Sequence, residues 1–256
     1  MKDIILKKFA IALAFFISIP LSGCASSAAL VKIDSRPGVT QGFIHIMPKK
    51  PPVASVILYA GGSGNLRLSG PNSMVWGAGN FLVRTRYEFA KQGFQVAVID
   101  TPEDKFGRMP LNRGGKDHVI DSQAIAAFLR TQADVPVWVV GTSRGSDSVA
   151  NLAVNGGGAF DGVVFTSSVV AASFYDLEKV KIPALVVHNK IDGCFASSPK
   201  VAEDIYNKLE NSKNRKLLWF SSRAQQSDAC KARSPHGYLG IESRVVEAIS
   251  DFIKSN

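Results

Sequence analysis

The sequence predicts an α/β fold, a mainly parallel central sheet with helices on both faces and no large lid. Three observations carry that reading. Short apolar, β-branched runs recur at 53–59, 94–99, 135–140, 163–166, 183–192 and 216–220, and helical patterns separate most of them. Connections of this kind are right-handed, which puts helices on both faces of the sheet. The stretch 136–145, Pro-Val-Trp-Val-Val-Gly-Thr-Ser-Arg-Gly, also runs from an apolar strand through a glycine-flanked serine into a helix. Only a short connection, 169–179, stands where a lid could be inserted, so an open cleft is expected.

At 256 residues, 46% apolar and 20% charged, the chain can bury one sizeable core, and a single domain is expected over 30–256. The formal charge is +9, of which Lys2, Lys7, Lys8 and Asp3 contribute +2, leaving +7 on the rest. No basic run is interleaved with aromatic residues, so no nucleic-acid partner is expected.

The first residues form a leader. A basic start, 1–8, is followed by an apolar segment, 9–21, too short to span a bilayer comfortably, so the segment reads as an export signal. It ends in Leu21-Ser22-Gly23-Cys24, which resembles the lipobox of bacterial lipoproteins. That resemblance implies loss of 1–23, a diacylglycerol on Cys24 as a membrane anchor, and a tether over 24–29. Ala25 is not the aspartate associated with inner-membrane retention, which points to the periplasmic face of an outer membrane. The alternative is an ordinary secretory signal, and both readings export the chain. With Cys24 lipidated, Cys194 and Cys230 remain as a pair in an oxidising compartment, where a disulfide persists. It would tie the loop after Asp192 to the loop before His236; two free thiols or a metal pair are the competing readings.

In chain order, 30–34 and 42–47 read as antiparallel edge strands joined at Arg36-Pro37-Gly38. The run 53–59 is a strand buried on both faces, opening into Ala60-Gly61-Gly62-Ser63-Gly64-Asn65. No Lys-Ser/Thr follows, so this is not a phosphate cradle; it suits backbone N–H donors approaching a substrate, at Gly62 or Ser63. Residues 66–79 read as a long irregular loop with a turn at Gly70-Pro71-Asn72 and an apolar patch at Met74, Val75 and Trp76. Asn80 caps a helix to Lys91, ended by Gly93, and 94–99 is the next strand. Asp100 and Asp104 read as structural caps. Residues 117–132 are helical, with His118 at the surface; Arg67, Arg108, Arg113 and Lys116 read as solvated loop charges, the alternative being a place near the cleft that favours an anionic substrate. After the strand 135–140, 146–153 forms a helix and 163–166 a strand. The strand 183–192 ends in Asp192, a helix runs from Ser197 or Ser198 to Leu209, and 216–220 is the last strand. His236 lies in Ser234-Pro235-His236-Gly237-Tyr238, a rigid loop before the closing helix 241–253. His188 and His45 read as structural.

Gly141-Thr142-Ser143-Arg144-Gly145 needs its glycines because the serine turn leaves no room for neighbouring side chains. Ser143 would point its hydroxyl out of the sheet, and the helix behind it would aim free N–H groups at the same point. With Asp192 and His236 downstream in the order Ser, Asp, His, and the glycine loop after 53–59, the chain from about residue 30 resembles the α/β-hydrolase family. It is most similar to small, lidless, exported members of dienelactone-hydrolase or esterase type. The resemblance implies Ser143 as nucleophile, His236 as general base and then acid, and Asp192 as the group that orients the imidazole. It also implies an oxyanion hole from the N–H of Arg144 and of Gly62 or Ser63, an ester or other acyl substrate, and no metal or cofactor. Tyr59-Ala60-Gly61-Gly62 lacks the histidine of the His-Gly-Gly-Gly esterases. Thioesters, amides, peptides and acyl transfer fit the same triad, and a non-catalytic envelope-binding lipoprotein is the reading from a different class.

Overall fold

The unbroken apolar runs become central strands because a parallel strand is covered on both faces. A computed structural model describes residues 27–256. The leader and Cys24 lie outside the described residues, so the lipidation expectation has no structural counterpart here. The chain forms β1 (Ser27–Arg36), β2 (Val39–Met47), β3 (Ala54–Tyr59), β4 (Leu68–Gly70), β5 (Ser73–Met74), α1 (Phe81–Arg84), α2 (Arg86–Lys91), β6 (Phe94–Ile99) and α3 (Met109–Asn112). It continues through α4 (Lys116–Gln132), β7 (Val137–Thr142), α5 (Gly145–Asn155), β8 (Gly162–Thr166), β9 (Ala184–Asn189), α6 (Pro199–Lys208), β10 (Arg215–Phe220) and α7 (Glu242–Lys254).

Eight strands make one sheet in the order β1-β2-β6-β3-β7-β8-β9-β10. β1 and β2 pair antiparallel and β2 runs antiparallel to β6, while the strands from β6 to β10 are parallel. Alternation along each strand divides the core. Ile57 and Tyr59 of β3 join Val149, Val201 and Ile205 under α4, α5 and α6, whereas Val56 and Leu58 join Phe89, Val245 and Ile249 under α1, α2 and α7. Helices therefore cover both faces, and the carboxyl ends of the parallel strands open along one edge. Between β8 and β9 lie only two short 3-10 turns, Val170–Phe174 and Leu177–Lys179, so no large lid covers that edge among the described residues.

Several boundaries differ from the sequence reading. β1 begins at Ser27, so Ser27–Ala29 of the expected tether are paired, with Ser27 opposite Met47. Backbone pairing rather than apolar pattern extends this strand. The loop 66–79 contains the small β4–β5 hairpin, turning at Pro71 and Asn72. The helix 80–91 is two short helices that meet at Thr85, whose φ −97° and ψ 3° leave the helical region while its Oγ1 donates to the carbonyl of Phe81. His118 is not at the surface: it is 2% exposed in α4, edge-on to the Tyr59 ring. Arg113 is likewise no solvated charge, being 1% exposed. Asp100 is the cap expected of it, accepting the N–H groups of Leu66, Arg67, Leu68 and Thr101.

Candidate active site

The turn after β7 sets the site. Ser143 has φ 53°, a left-handed conformation that side chains other than glycine rarely adopt. A Cβ on Gly141 would lie 2.2 Å from the carbonyl oxygen of Gly145, and one on Gly145 would lie 2.1 Å from that of Tyr59. Both glycines are therefore sterically required, as the motif implied. The N–H of Ser143 donates to Thr166 and its carbonyl accepts from Ser146 Oγ at 2.6 Å, an oxygen that also accepts from Val169 N. The strained residue is thus held from β8 and from α5.

Asp192 is buried but does not end the strand as expected: β9 stops at Asn189, and Asp192 sits beyond it in a turn closed by its own N–H on the Asn189 carbonyl. Its Oδ1 accepts from Cys194 N at 2.9 Å, and its Oδ2 from His236 Nδ1 at 2.8 Å and Ser197 Oγ at 3.3 Å. An ionised carboxylate only accepts, so Nδ1 is the donor in this bond, and in the neutral ring Nε2 is then the acceptor. That Nε2 has no hydrogen-bond partner among the described residues. His236 sits on a short 3-10 turn, Pro235–Gly237, with its carbonyl bound by Ser167 Oγ and its N–H by Ser234 Oγ. Asn189 Nδ2 donates to Pro235 O, and Arg84 Nη2 to Gly237 O. A Cβ on Gly237 would meet the Ala232 carbonyl at 1.9 Å, so the turn also needs its glycine.

Ser143 and His236 line one cavity of about 340 Å³, with no hydrogen bond between them, walled by Gly61, Gly62, Trp76 and Phe81. A Cβ on Gly61 would lie 2.8 Å from that of Ser143, and one on Gly62 would meet the Trp76 ring at 2.6 Å. The N–H groups of Gly62, Ser63 and Arg144 bond to no acceptor among the described residues. Gly62 lines the cavity and Ser63 does not.

Arg113 is buried beside the glycine loop instead of solvated. Its Nη2 donates to Ala60 O and its Nη1 to Ser148 Oγ, both at 2.8 Å, joining the glycine loop to α5. Burial lowers its pKa to about 10, so the guanidinium stays charged at neutral pH. Gly64 leaves room for it, since a Cβ there would lie 2.3 Å from Nη2.

The competing histidines, expected to serve packing or support, are buried and do not line the Ser143 cavity. His188 Nε2 lies 3.2 Å from Ser197 O and 3.6 Å from Asp192 Oδ2, and His45 Nε2 meets Gln95 at 2.9 Å. Burial, opposed by Asp192, lowers His188 to about 4, and burial with the nearby Arg113 charge lowers His118 to about 3. An unfolded histidine titrates near 6.5, so below about pH 6.5 the unfolded chain binds protons that the folded chain does not. Stability therefore falls with pH from about 6.5 toward 4, by up to about 1.4 kcal/mol per pH unit for each histidine. Urea unfolding at stepped pH should show this slope, and His118→Leu should remove about one proton from it; equal slopes in parent and variant would contradict the assignment.

Cys194 and Cys230 are joined in a disulfide, with Cα atoms 4.5 Å apart. The described residues contain no group of three or more His, Cys, Asp or Glu side chains able to hold a metal ion, and no helix long and apolar enough to cross a membrane.

No family model matches the chain, and no curated protein does. Solved structures do. An esterase of Pyrococcus furiosus superposes with a TM-score of 0.65 at 14% identity, over 90% of this chain and 93% of its own. A dienelactone hydrolase from Anabaena variabilis gives 0.61 at 17% identity, over 89% and 97%. The acylaminoacyl peptidase of Pyrococcus horikoshii gives 0.62 at 12% identity, over 91% of this chain but 42% of its own. At such identities the shared feature is architecture, and the chain has the α/β-hydrolase fold.

Proposed function

We propose that the protein is a serine hydrolase that cleaves carboxylic esters of small molecules through an acyl-enzyme. The observation that carries this reading is the strained Ser143 opening onto the same cavity as an Asp192-oriented His236 with a free Nε2. In the proposed cycle Ser143 Oγ attacks the ester carbonyl as His236 Nε2 takes its proton. Asp192 keeps the imidazole in the needed tautomer and stabilises its cation. The N–H groups of Gly62 and Arg144 receive the developing oxyanion. His236 returns the proton to the departing alcohol, and water repeats the sequence on the acyl group. The leader's sequence adds export and lipid anchoring in a cell envelope to the proposal.

The test is turnover of p-nitrophenyl acetate and butyrate by the folded protein, abolished by a serine-directed phosphonate. No turnover of either ester would count against the reading.

Arg113 supplies a second test. By holding Ala60 O it fixes the peptide that leads into Gly61 and Gly62, so Arg113→Met should lower kcat by about tenfold to a hundredfold while KM stays within a factor of about three. Removing a desolvated charge that makes no ion pair among the described residues offsets part of the loss of its two hydrogen bonds, so the melting temperature should fall by only a few degrees. A large drop in melting temperature with unchanged kcat would make Arg113 a purely structural residue.

A further inference from the structure

Among the described residues nine large apolar side chains stand exposed, and seven of them lie along one edge of the molecule. Single exposed apolar residues need no explanation, but their concentration at one place does. Val75 and Trp76 follow β3, and Phe106 and Leu111 follow β6. Val170 and Phe174 follow β8, and Phe195 follows β9. All four loops leave the carboxyl ends of parallel strands, the edge that also carries the Ser143 cavity, and Trp76 lines that cavity.

Contacts join these loops. Trp76 lies against Gly62, and Gly64 of the same loop approaches Met109 of α3, the helix that carries Leu111. Tyr175, next to Phe174, reaches Gly114, and Val170 N donates to Ala196 O beside Phe195. Leu111, Phe174 and Phe195 are 87%, 76% and 95% exposed, so they point outward and wall no internal pocket.

Charge on the same edge has one dominant sign. Arg67, Arg108, Arg144, Lys231 and Arg233 are exposed and make no ion pair among the described residues. The nearby acids are mostly engaged: Glu103 with Lys32, Asp104 with Arg36, and Asp176 with Lys179. Asp228 and the half-buried Asp147 have no basic partner within an ion-pair distance among the described residues. Exposed aromatic and aliphatic side chains interspersed with free cations suit the headgroup region of an anionic bilayer, where rings enter the interface and arginines meet phosphates.

We propose that this edge seats on a membrane surface containing anionic phospholipid, with the cavity mouth turned toward the lipid. The docking does not depend on Ser143 being a nucleophile, so its test stands apart from the hydrolase reading.

The test uses vesicles of phosphatidylglycerol with brominated acyl chains, which quench tryptophans that reach the interface. Trp138 is buried and Trp219 half-buried, while Trp76 stands at the proposed contact. Bromine-dependent quenching should be strong in the parent, absent in Trp76→Phe and weaker with phosphatidylcholine. A Phe174→Ser/Phe195→Ser variant should bind about tenfold more weakly or worse, with soluble-ester turnover unchanged. Attachment elsewhere on the chain would not produce this signal. Vesicle association without bromine quenching, or no association, would overturn the proposal. So would light scattering that shows the double variant splitting a dimer, since the edge would then pair two copies.

Discussion

Alanine at position 143 should lower ester turnover by about 10⁴-fold or more and leave the fold intact. The side chain removed is small and half-exposed, and alanine inherits the same left-handed backbone, which β8 and α5 hold through the Ser143 N–H and carbonyl. Adding His236→Ala to that variant should cost little more, because a base with no nucleophile to activate does no work. Kinetics on p-nitrophenyl acetate, with circular dichroism to confirm folding, check both statements. Activity within tenfold of the parent in Ser143→Ala would remove the serine from the chemistry, and a full further loss in the double variant would mean that the two residues act independently.

Replacing both Cys194 and Cys230 with serine should lower the melting temperature by about 10 °C. The link closes a sequence separation of 36, worth about 3 to 4 kcal/mol in the chain-entropy model. Its position adds a functional effect. Cys194 N donates to Asp192 Oδ1, and Cys230 lies in the cavity wall two residues before Ala232, whose carbonyl packs on Gly237 beside His236. Without the link the acid and base loops lose their covalent tie and keep only the bond between His236 and Asp192, so kcat should fall more than KM rises. Calorimetry and steady-state kinetics on the double serine variant test this. An unchanged melting temperature, with two titratable thiols in the native parent, would show that the bond does not form.

What the sequence revealed and what it hid divide along physical lines. The central strands were legible because a strand covered on both faces has to be apolar throughout, and β3, β6 and β9 fall within a few residues of their predicted spans. Ser143 was legible because its strain requires small neighbours close in sequence, and Asp192 and His236 because each follows a buried strand or sits in a rigid turn. Arg113 and His118 were misread because residue type says charged or polar, while their burial depends on partners far away in the chain. Ala60, whose carbonyl satisfies Arg113, lies 53 residues from it. Ser167 and Asn189, which pin the His236 turn, were missed for the same reason. The available signal was that both sit at the carboxyl end of a buried strand, where a polar residue has only the site edge to serve.

The most direct measurement of the central claim is the intact mass of the purified protein after exposure to a fluorophosphonate, beside the Ser143→Ala variant. The account predicts a single adduct on the parent, mapped to the peptide that carries Ser143, and none on the variant. A folded parent that gains no mass, or a variant that gains as much as the parent, would contradict it.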